Sequence, residues 1–403
     1  MHAKQGRIIW IVAGLLLIEF LSGAVWGIHR GLSSLFTKEV LLITSFTRIG
    51  FVVSVFGLTK AVTNLGFGAL SDRIGRKPVI VLGLISSGLG GVMIALAKDF
   101  YGMLLGTALI GLGGGSTFVG IMVSMTEAVP SRLGLAMGLF ELAAYGGSSF
   151  GTTLGGYLAA AYGLRQPFLT LMIISAVGAL SGFILVPETK GLVKVERTAS
   201  TRIFERYTSG FVRTAPLYIA GFSSKIMDSL IWSFLPLYLT ELQMNIGKIA
   251  AIMSAFTFSW ALLQPLSGHI SDKLGRKRII VIGLTSAAVT TFSFTLTSDF
   301  LFLLIFALIL GVEVALFYTP LIAMVSDIAP PELEGTLIGS YRFFRDMGYF
   351  VGAIMLGAVA DNYGLNYAFY VTSLCLFLAV IIFHVSAKET LRNIATDTKS
   401  RHF

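Results

Sequence analysis

Charge is what this chain has least of: Asp, Glu, Lys and Arg make up 13% of its 403 residues, about half the roughly 25% usual in soluble domains. A chain so poor in charge, 55% apolar and with mean hydropathy +0.82, is outside the range of water-soluble folds and belongs in a bilayer. Cysteine is nearly missing too. Cys375 stands alone inside an apolar run, which excludes an intrachain disulfide and leaves it a packing residue. No loop carries the Gly-x-x-x-x-Gly-Lys-Ser/Thr pattern that cradles ATP phosphates. No His/Cys cluster accompanies the acids that a metal ion would need. Little chain is left between apolar runs for a soluble catalytic module, so an enzyme is not expected.

What is present is a long series of runs of the roughly 20 residues needed to cross a hydrocarbon core. They fall at 8–30, 45–69, 79–97, 100–126, 134–161 and 166–186, then at 215–239, 249–269, 279–297, 300–326, 336–361 and 366–385. Six and six flank a charged segment, 187–213, with Lys190, Lys194, Arg197, Arg202, Arg206 and Arg213 beside Glu188, Glu196 and Glu205. The pattern predicts an N-terminal bundle over 1–186, a surface linker over 187–213, a C-terminal bundle over 214–387 and a tail over 388–403. Lys4 and Arg7, the first run, and Ser22 and Ala24 at cleavage-like spacing also imitate a secretory signal. Glu19 inside the run and the spans that follow favour a retained first helix.

The net charge of +9 is a topology signal here rather than a nucleic-acid footprint, because basic residues gather in short loops beside apolar spans. With the N-terminus inside, twenty of the thirty Lys and Arg lie on that side, among them Arg73, Arg76, Lys77, Arg132 and Lys273. Arg30, Lys38, Arg48, Lys98, Arg165 and Lys248 fall in outside loops or helix ends. Both termini are therefore expected in the cytoplasm.

An internal repeat at an offset of about 200 residues organises the whole chain. Gly68-Ala69-Leu70-Ser71-Asp72-Arg73-Ile74-Gly75-Arg76-Lys77 returns as Gly268-His269-Ile270-Ser271-Asp272-Lys273-Leu274-Gly275-Arg276-Lys277, each after the second run of its half. Glu127 and Pro130 return as Asp327 and Pro330, Tyr162-Gly163-Leu164 as Tyr363-Gly364-Leu365, and Glu188-Thr189 as Glu389-Thr390. Each half begins and ends on the same side, so the halves are parallel repeats with a cavity expected between them.

The duplicated Gly-x-Leu/Ile-Ser-Asp-Arg/Lys-x-Gly-Arg-Lys resembles the signature loop between the second and third helices of the major facilitator superfamily. The resemblance implies that family's all-α fold: twelve transmembrane helices in two pseudo-symmetric six-helix bundles. It also implies a charge network that gates one end, with Asp72, Arg73 and Arg76 facing Glu127, and Asp272 and Arg276 facing Asp327. Gly68, Gly75, Gly268 and Gly275 would permit the tight turn and close approach, and a carboxylate is favoured near exposed helix amides. The fifth run carries Gly138, Gly147, Gly151 and Gly155, similar to the glycine pattern of the superfamily's antiporters, but Thr152 stands where that pattern has proline. Small residues at this spacing also serve plain helix contact.

Ionisable groups in mid-membrane cost at least about 2.5–3.5 kcal/mol each, so they line wet cavities and pair. Glu19, Lys60, Glu141, Lys225, Asp228, Glu313, Arg342, Arg345 and Asp346 lie inside runs, and the third, sixth, ninth and twelfth runs carry none. In the superfamily those four face lipid. At about 1.5 Å of rise per residue, Lys60, Glu313 and Arg345 share a central layer. A guanidinium suits a bidentate grip on a carboxylate or phosphate, so the expected solute is anionic or zwitterionic. The same carboxylates also serve as internal counter-ions in an alternative reading, Arg345 with Asp228 or Asp346 first among the pairs. Glu19 and Glu313 are the expected proton carriers. His29, His269 and His384 sit at run ends and receive no role.

The expectation is thus a secondary active transporter, symporter or antiporter, in the cytoplasmic (inner) membrane. It moves a small organic molecule by alternating access on a proton gradient, without cofactor or metal and without nucleic acid, as a monomer in the lipid bilayer. The alternative is an efflux antiporter for drugs or toxic compounds.

Overall fold

In the computed structural model, residues 2–129, 133–189, 203–329 and 333–391 are described, and among them there is no strand. The chain is a succession of helices: α1 (His2–Leu35), α2 (Phe46–Ile74), α3 (Arg76–Leu96), α4 (Phe100–Ala128), α5 (Leu133–Tyr162), α6 (Gln166–Leu185), α7 (Ile203–Ser233), α8 (Leu235–Glu241), α9 (Ile246–Leu274), α10 (Arg276–Ser293), α11 (Phe300–Ile328), α12 (Glu334–Tyr363) and α13 (Leu365–Ser386). A break at Phe234 before Pro236 separates α7 from α8, and the two together make one crossing, so the membrane is crossed twelve times.

Ten of the helices are apolar enough along their length to span a membrane on composition alone. The other two crossings, α5 and α7–α8, are diluted by Gly, Ser, Thr and Tyr and by Glu141, Lys225 and Asp228. They tolerate this because Glu141, Lys225 and Asp228 face the interior rather than lipid.

The 200-residue offset reappears in the helix ends. Asp99 accepts from Gly102 N–H (2.8 Å) to start α4, and Asp299 accepts from Leu301 N–H (2.8 Å) to start α11. Ser45 and Asn245 cap α2 and α9 in the same way. Gly75 and Gly275 turn the chain at φ +102° and +100°, where only glycine sits without strain.

Within the N-terminal bundle α1 and α5 approach until backbones touch. Gly23 and Gly27 face the carbonyls of Ala144 and Ser148, and Gly147 and Gly151 face those of Phe20 and Ala24. Any β-carbon there would strike peptide oxygen, so the glycines of the fifth run are packing residues; Gly138, by contrast, meets only Pro265, at 3.9 Å. Apolar side chains on α3, α6, α10 and α13, such as Leu89, Phe183, Ile282 and Leu378, point outward, as do others on α4, α9 and α11 such as Leu105, Leu262 and Phe302.

Two features differ from the sequence reading. α7 begins at Ile203, inside the segment expected as linker, of which 190–202 lie outside the described residues, as do Arg132, Pro130, Pro330 and 392–403 of the tail. α1 runs on past residue 30 to Leu35 and a π turn to Val40, which takes His29 and Arg30 from the rim into the interior. The helix continues because no Gly, Pro or capping residue stops it after Arg30 except Gly31, which packs against Thr152.

The bundles, α1–α6 and α7–α13, meet along two seams, α2 with α12 and α5 with α9. The ends of α6 and α13 lie at the α2–α3 and α9–α10 turns, and this end of the molecule is the terminal face. Toward the opposite, far face the seams are tight. Asp361 accepts from Phe46 N–H (2.6 Å), Thr47 N–H (3.0 Å) and Ser45 Oγ–H (2.9 Å), and Thr153 and Ser254 hydroxyls are 2.8 Å apart. Toward the terminal face the seams are looser: Gly138 near the start of α5 meets α9 only at Pro265, 3.9 Å away, and Gly339 near the start of α12 has open space beside it.

Candidate substrate cavity

Between the bundles lies a narrow cavity of about 30 Å³, room for a water molecule or two in this conformation. Its walls come from α1 (Trp26, Arg30), α2 (Phe56, Lys60, Asn64), α4 (Phe118), α5 (Glu141, Tyr145), α7 (Lys225), α11 (Tyr318) and α12 (Arg342, Arg345, Asp346, Tyr349). Six of the nine expected intramembrane residues, Lys60, Glu141, Lys225, Arg342, Arg345 and Asp346, therefore converge on one space. Periodicity explains it: on α12, positions 342, 345, 346 and 349 share a face.

Two of the cations are spoken for. Arg345 donates through Nε (2.9 Å) and Nη2 (2.7 Å) to Asp346 Oδ1, and through Nη1 to the Tyr318 hydroxyl (3.0 Å). Lys225 Nζ donates to Asp228 Oδ2; Asp228 stands just behind the wall, its Oδ1 without a hydrogen-bond partner. Of the two suspected partners of Arg345, Asp346 is the one in contact. Such pairs are the usual means of holding a charge in low dielectric.

The other three cations have no carboxylate within ion-pair distance among the described residues. Lys60 Nζ lies 4.0 Å over Trp26 and 5.1 Å over Phe118. Arg342 Cζ lies 5.3 Å over Phe118. Arg30, expected at an outside helix end, lies within 5.0–5.7 Å of Phe56, Trp232, Tyr349 and Trp26, so π faces replace the counter-ion. The signal that could have found it is its spacing: Glu19, Trp26 and Arg30 fall at helical intervals along one strip. Next to the cations, Tyr145 and Trp260 stack at 3.8 Å with Tyr318 set edge-on, giving the cavity a flat aromatic wall.

Glu19 lies behind the wall, fully buried, and neither carboxyl oxygen has a hydrogen-bond partner; Glu141 and Lys60 are its charged neighbours. Glu141 reaches Arg342, Arg345, Lys60 and Lys225 electrostatically. Glu313 is a correction. It does not line the cavity but lies in the seam between α10 and α11, accepting from Thr290 Oγ1–H at 2.9 Å. Rise along the axis gave its depth and could not give its azimuth, which turns it away from the cavity. His29 is likewise interior, stacked on Phe56 and 3.3 Å from Thr107 Oγ1.

At the terminal face the repeated motif builds the same network twice. Arg76 Nη2 donates to Glu127 Oε1 (2.9 Å), and Arg276 lies 2.6 Å from Asp327 and 3.4 Å from Asp272. Thr189 and Thr390 donate to Glu127 (2.6 Å) and Asp327 (2.7 Å). Glu188 and Glu389 accept from the first amides of α3 and α10, at Arg76 (2.9 Å), Lys77 (3.2 Å), Arg276 (3.1 Å) and Lys277 (3.0 Å). These two glutamates, seen in the sequence only as repeat landmarks, carry the anion-at-helix-start role expected of the motif's aspartates. Arg73 is exposed, and Gly268 faces Thr319 at 3.6 Å. The side chain of Asp72 and the surroundings of Gly68 lie outside those described.

The family model of the Major Facilitator Superfamily matches residues 15–218 and again 217–402. The chain belongs to that superfamily, and is a membrane transporter of the twelve-helix type, not an enzyme. It is similar to the multidrug resistance protein MdtG of Escherichia fergusonii, 24% identical over 90% of this chain and 91% of the relative. An MFS-type transporter of Methanocaldococcus jannaschii is 25% identical over 79% of this chain and 83% of its own. Among solved structures, the nucleoside transporter NupG superposes with a TM-score of 0.81 at 15% identity, covering 94% of this chain and 100% of that one. A bacterial homologue of the lysosomal transporter Spinster, in an inward-facing and unoccupied conformation, gives 0.78 at 16% identity over 94% and 97%.

Proposed function

We propose that this transporter carries a small organic anion or zwitterion bearing a flat ring across the cytoplasmic membrane by alternating access, coupled to protons. The observation that carries the reading is the cavity wall: five cationic side chains against two carboxylates, set among stacked rings, at the junction of two bundles. The surplus positive charge favours a negatively charged solute, and the aromatic wall favours a planar one. Glu19 supports proton coupling, because a carboxylate buried without a partner costs far more than the neutral acid. Glu141, on the cavity side of it, offers a second station. The distribution of basic residues supports an orientation with both termini in the cytoplasm. Two bundles, the first ending near Val186 and the second starting with α7, complete the monomeric carrier, with the duplicated terminal-face network as its gate.

A second reading, drug efflux by antiport, is supported by the same aromatic wall and by the relatives named for multidrug resistance. Purified protein in proteoliposomes, given a panel of aromatic carboxylates, amino acids, nucleosides, sugars and cationic dyes at imposed pH gradients, separates the two. Flux of a carboxylate that scales with the gradient is expected; flux of cationic dyes alone would replace the first reading with the second. Glu19→Gln is expected to leave exchange of the same solute intact while removing its response to the pH gradient, and an unchanged response would reject Glu19 as the carrier.

A further inference from the structure

At the terminal-face ends of α10 and α13, the outer wall of the C-terminal bundle holds a cavity of about 300 Å³, far roomier than the one between the bundles. Lys277, Arg278 and His384 form its rim, Val281 and Ile282 its floor, and Glu389 closes one side. Glu389 is already engaged, because its oxygens accept from the amides of Arg276, Lys277, Thr390 and Leu391. The side chains of Lys277, Arg278 and His384 have no hydrogen-bond or ion-pair partner among the described residues. The rim therefore presents two free cations and an imidazole.

The internal repeat supplies a comparison. Lys77 and Glu188 stand where Lys277 and Glu389 do, and Val81 and Leu82 match Val281 and Ile282. Phe183, however, takes the place of His384, and Pro78 that of Arg278. In the N-terminal half Lys77 Nζ donates to the Phe183 carbonyl at 2.6 Å and lies 4.7 Å over its ring, so that ammonium is folded down onto α6 and satisfied there. In the C-terminal half a ring and a proline give way to imidazole and guanidinium, and Lys277 is left facing the cavity. The two halves share the scaffold, and only one of them carries the basic rim.

We propose that this cavity binds the phosphate of an anionic phospholipid, whose acyl chains run down the outer face of α10 and α13. A guanidinium beside an ammonium suits a phosphodiester, and basic pockets between helix ends are suited to anionic headgroups. The apolar floor selects a lipid over a soluble anion. It continues outward through Ile282, Ile381 and Val385, which are 47%, 58% and 78% exposed; a free phosphate leaves that surface in place, and an acyl chain covers it. Lys277 and Arg278 stand at the start of one crossing and His384 in the last turn of another, the depth at which headgroups lie. A headgroup held there steadies the first turn of α10, whose Arg276 belongs to the network with Asp327.

The test uses the full-length protein, purified in detergent and freed of lipid. It is titrated with dioleoyl phosphatidylglycerol, dioleoyl phosphatidylcholine or inorganic phosphate, with bound lipids counted by native mass spectrometry and the melting temperature followed in parallel. One phosphatidylglycerol is expected to bind more tightly than phosphatidylcholine, to raise the melting temperature, and to resist displacement by a large excess of phosphate. Lys277→Gln and Arg278→Gln should each weaken that lipid by about fivefold, the worth of one basic side chain near a charged membrane surface. His384→Phe, which copies the other half, should weaken it as well. Lys273→Gln, exposed on the same face but outside the cavity, should leave binding unchanged, which separates a site from the general attraction of a basic surface. Lipid-free melting temperatures near that of the parent show that the variants fold. Equal affinity for the two lipids, or the same loss in Lys273→Gln as in Arg278→Gln, overturns the site. Equal stabilisation by phosphate alone overturns the lipid and gives the cavity to a soluble anion.

Discussion

Gly27 and Gly151 each sit where the backbone of one helix runs directly over the other, so that the nearest atoms to an added β-carbon are the carbonyls of Ser148 and Ala24. Peptide oxygen cannot rotate aside as a side chain can, and an overpacked core loses at least about 1–3 kcal/mol. Gly27→Leu is expected to lower the melting temperature of the purified protein markedly, while Gly146→Leu, with open space beside it, leaves it near that of the parent. Equal melting temperatures for the two would contradict the packing. At this scale the sequence told less about location than about kind. Charge inside an apolar run reliably marked Lys60, Glu141, Lys225, Arg342, Arg345 and Asp346 as interior, since a bilayer tolerates ions only where protein or water receives them. It misjudged Arg30, whose counter-ion is a set of rings scattered from Trp26 to Tyr349, and Glu313, whose facing depends on helix azimuth and not on depth.

Among elements, α2 and α12 show how a seam can be both firm and releasable. The amides that begin α2 are capped by Asp361, which belongs to the other bundle; when the far face parts, α2 loses an N-cap and Asp361 is left to water. A cap of this sort contributes about 1 kcal/mol, enough to change a two-state ratio roughly fivefold. Asp361→Ala is expected to raise the fraction of molecules open at the far face by that factor, read as a second population in spin-label distances between the far ends of α2 and α12. An unaltered distance distribution would exclude Asp361 from the gate. Helix number and order were legible from run length, because hydrocarbon thickness sets a strict ruler, and the lipid-facing members from the four runs that carry no charge. The length of α1 was not, since Arg30 looked like the end of a span and only its ring partners, brought by other helices, make it an interior residue.

Over the whole molecule, the two halves carry one architecture, and the repeat of about 200 residues announced it before any coordinate was needed. What the repeat could not announce is which face is shut. Here the far seams are zipped, and the β-carbon of Ala250 lies against the place where Gly156 would carry its own. Thr153 and Ser254, whose hydroxyls meet across the same seam at 2.8 Å, hold their β-carbons at disulfide reach, so a Thr153→Cys, Ser254→Cys pair in the Cys375→Ser background should cross-link under mild oxidation and stop flux, with reductant restoring it; flux undiminished by the cross-link would mean that this seam never opens. The Arg30 cage has one more implication. Its four rings are contributed equally by the two bundles, so parting of the bundles strips half of them away and turns an uncompensated positive charge toward whichever side opens. Moving a unit charge through the full field is worth about 2.3 kcal/mol per 100 mV. With the terminal face toward the cytoplasm, an interior-negative voltage holds the vacant carrier facing inward, and an anionic passenger cancels part of that pull. The return stroke, more than the loaded one, should then feel the membrane potential.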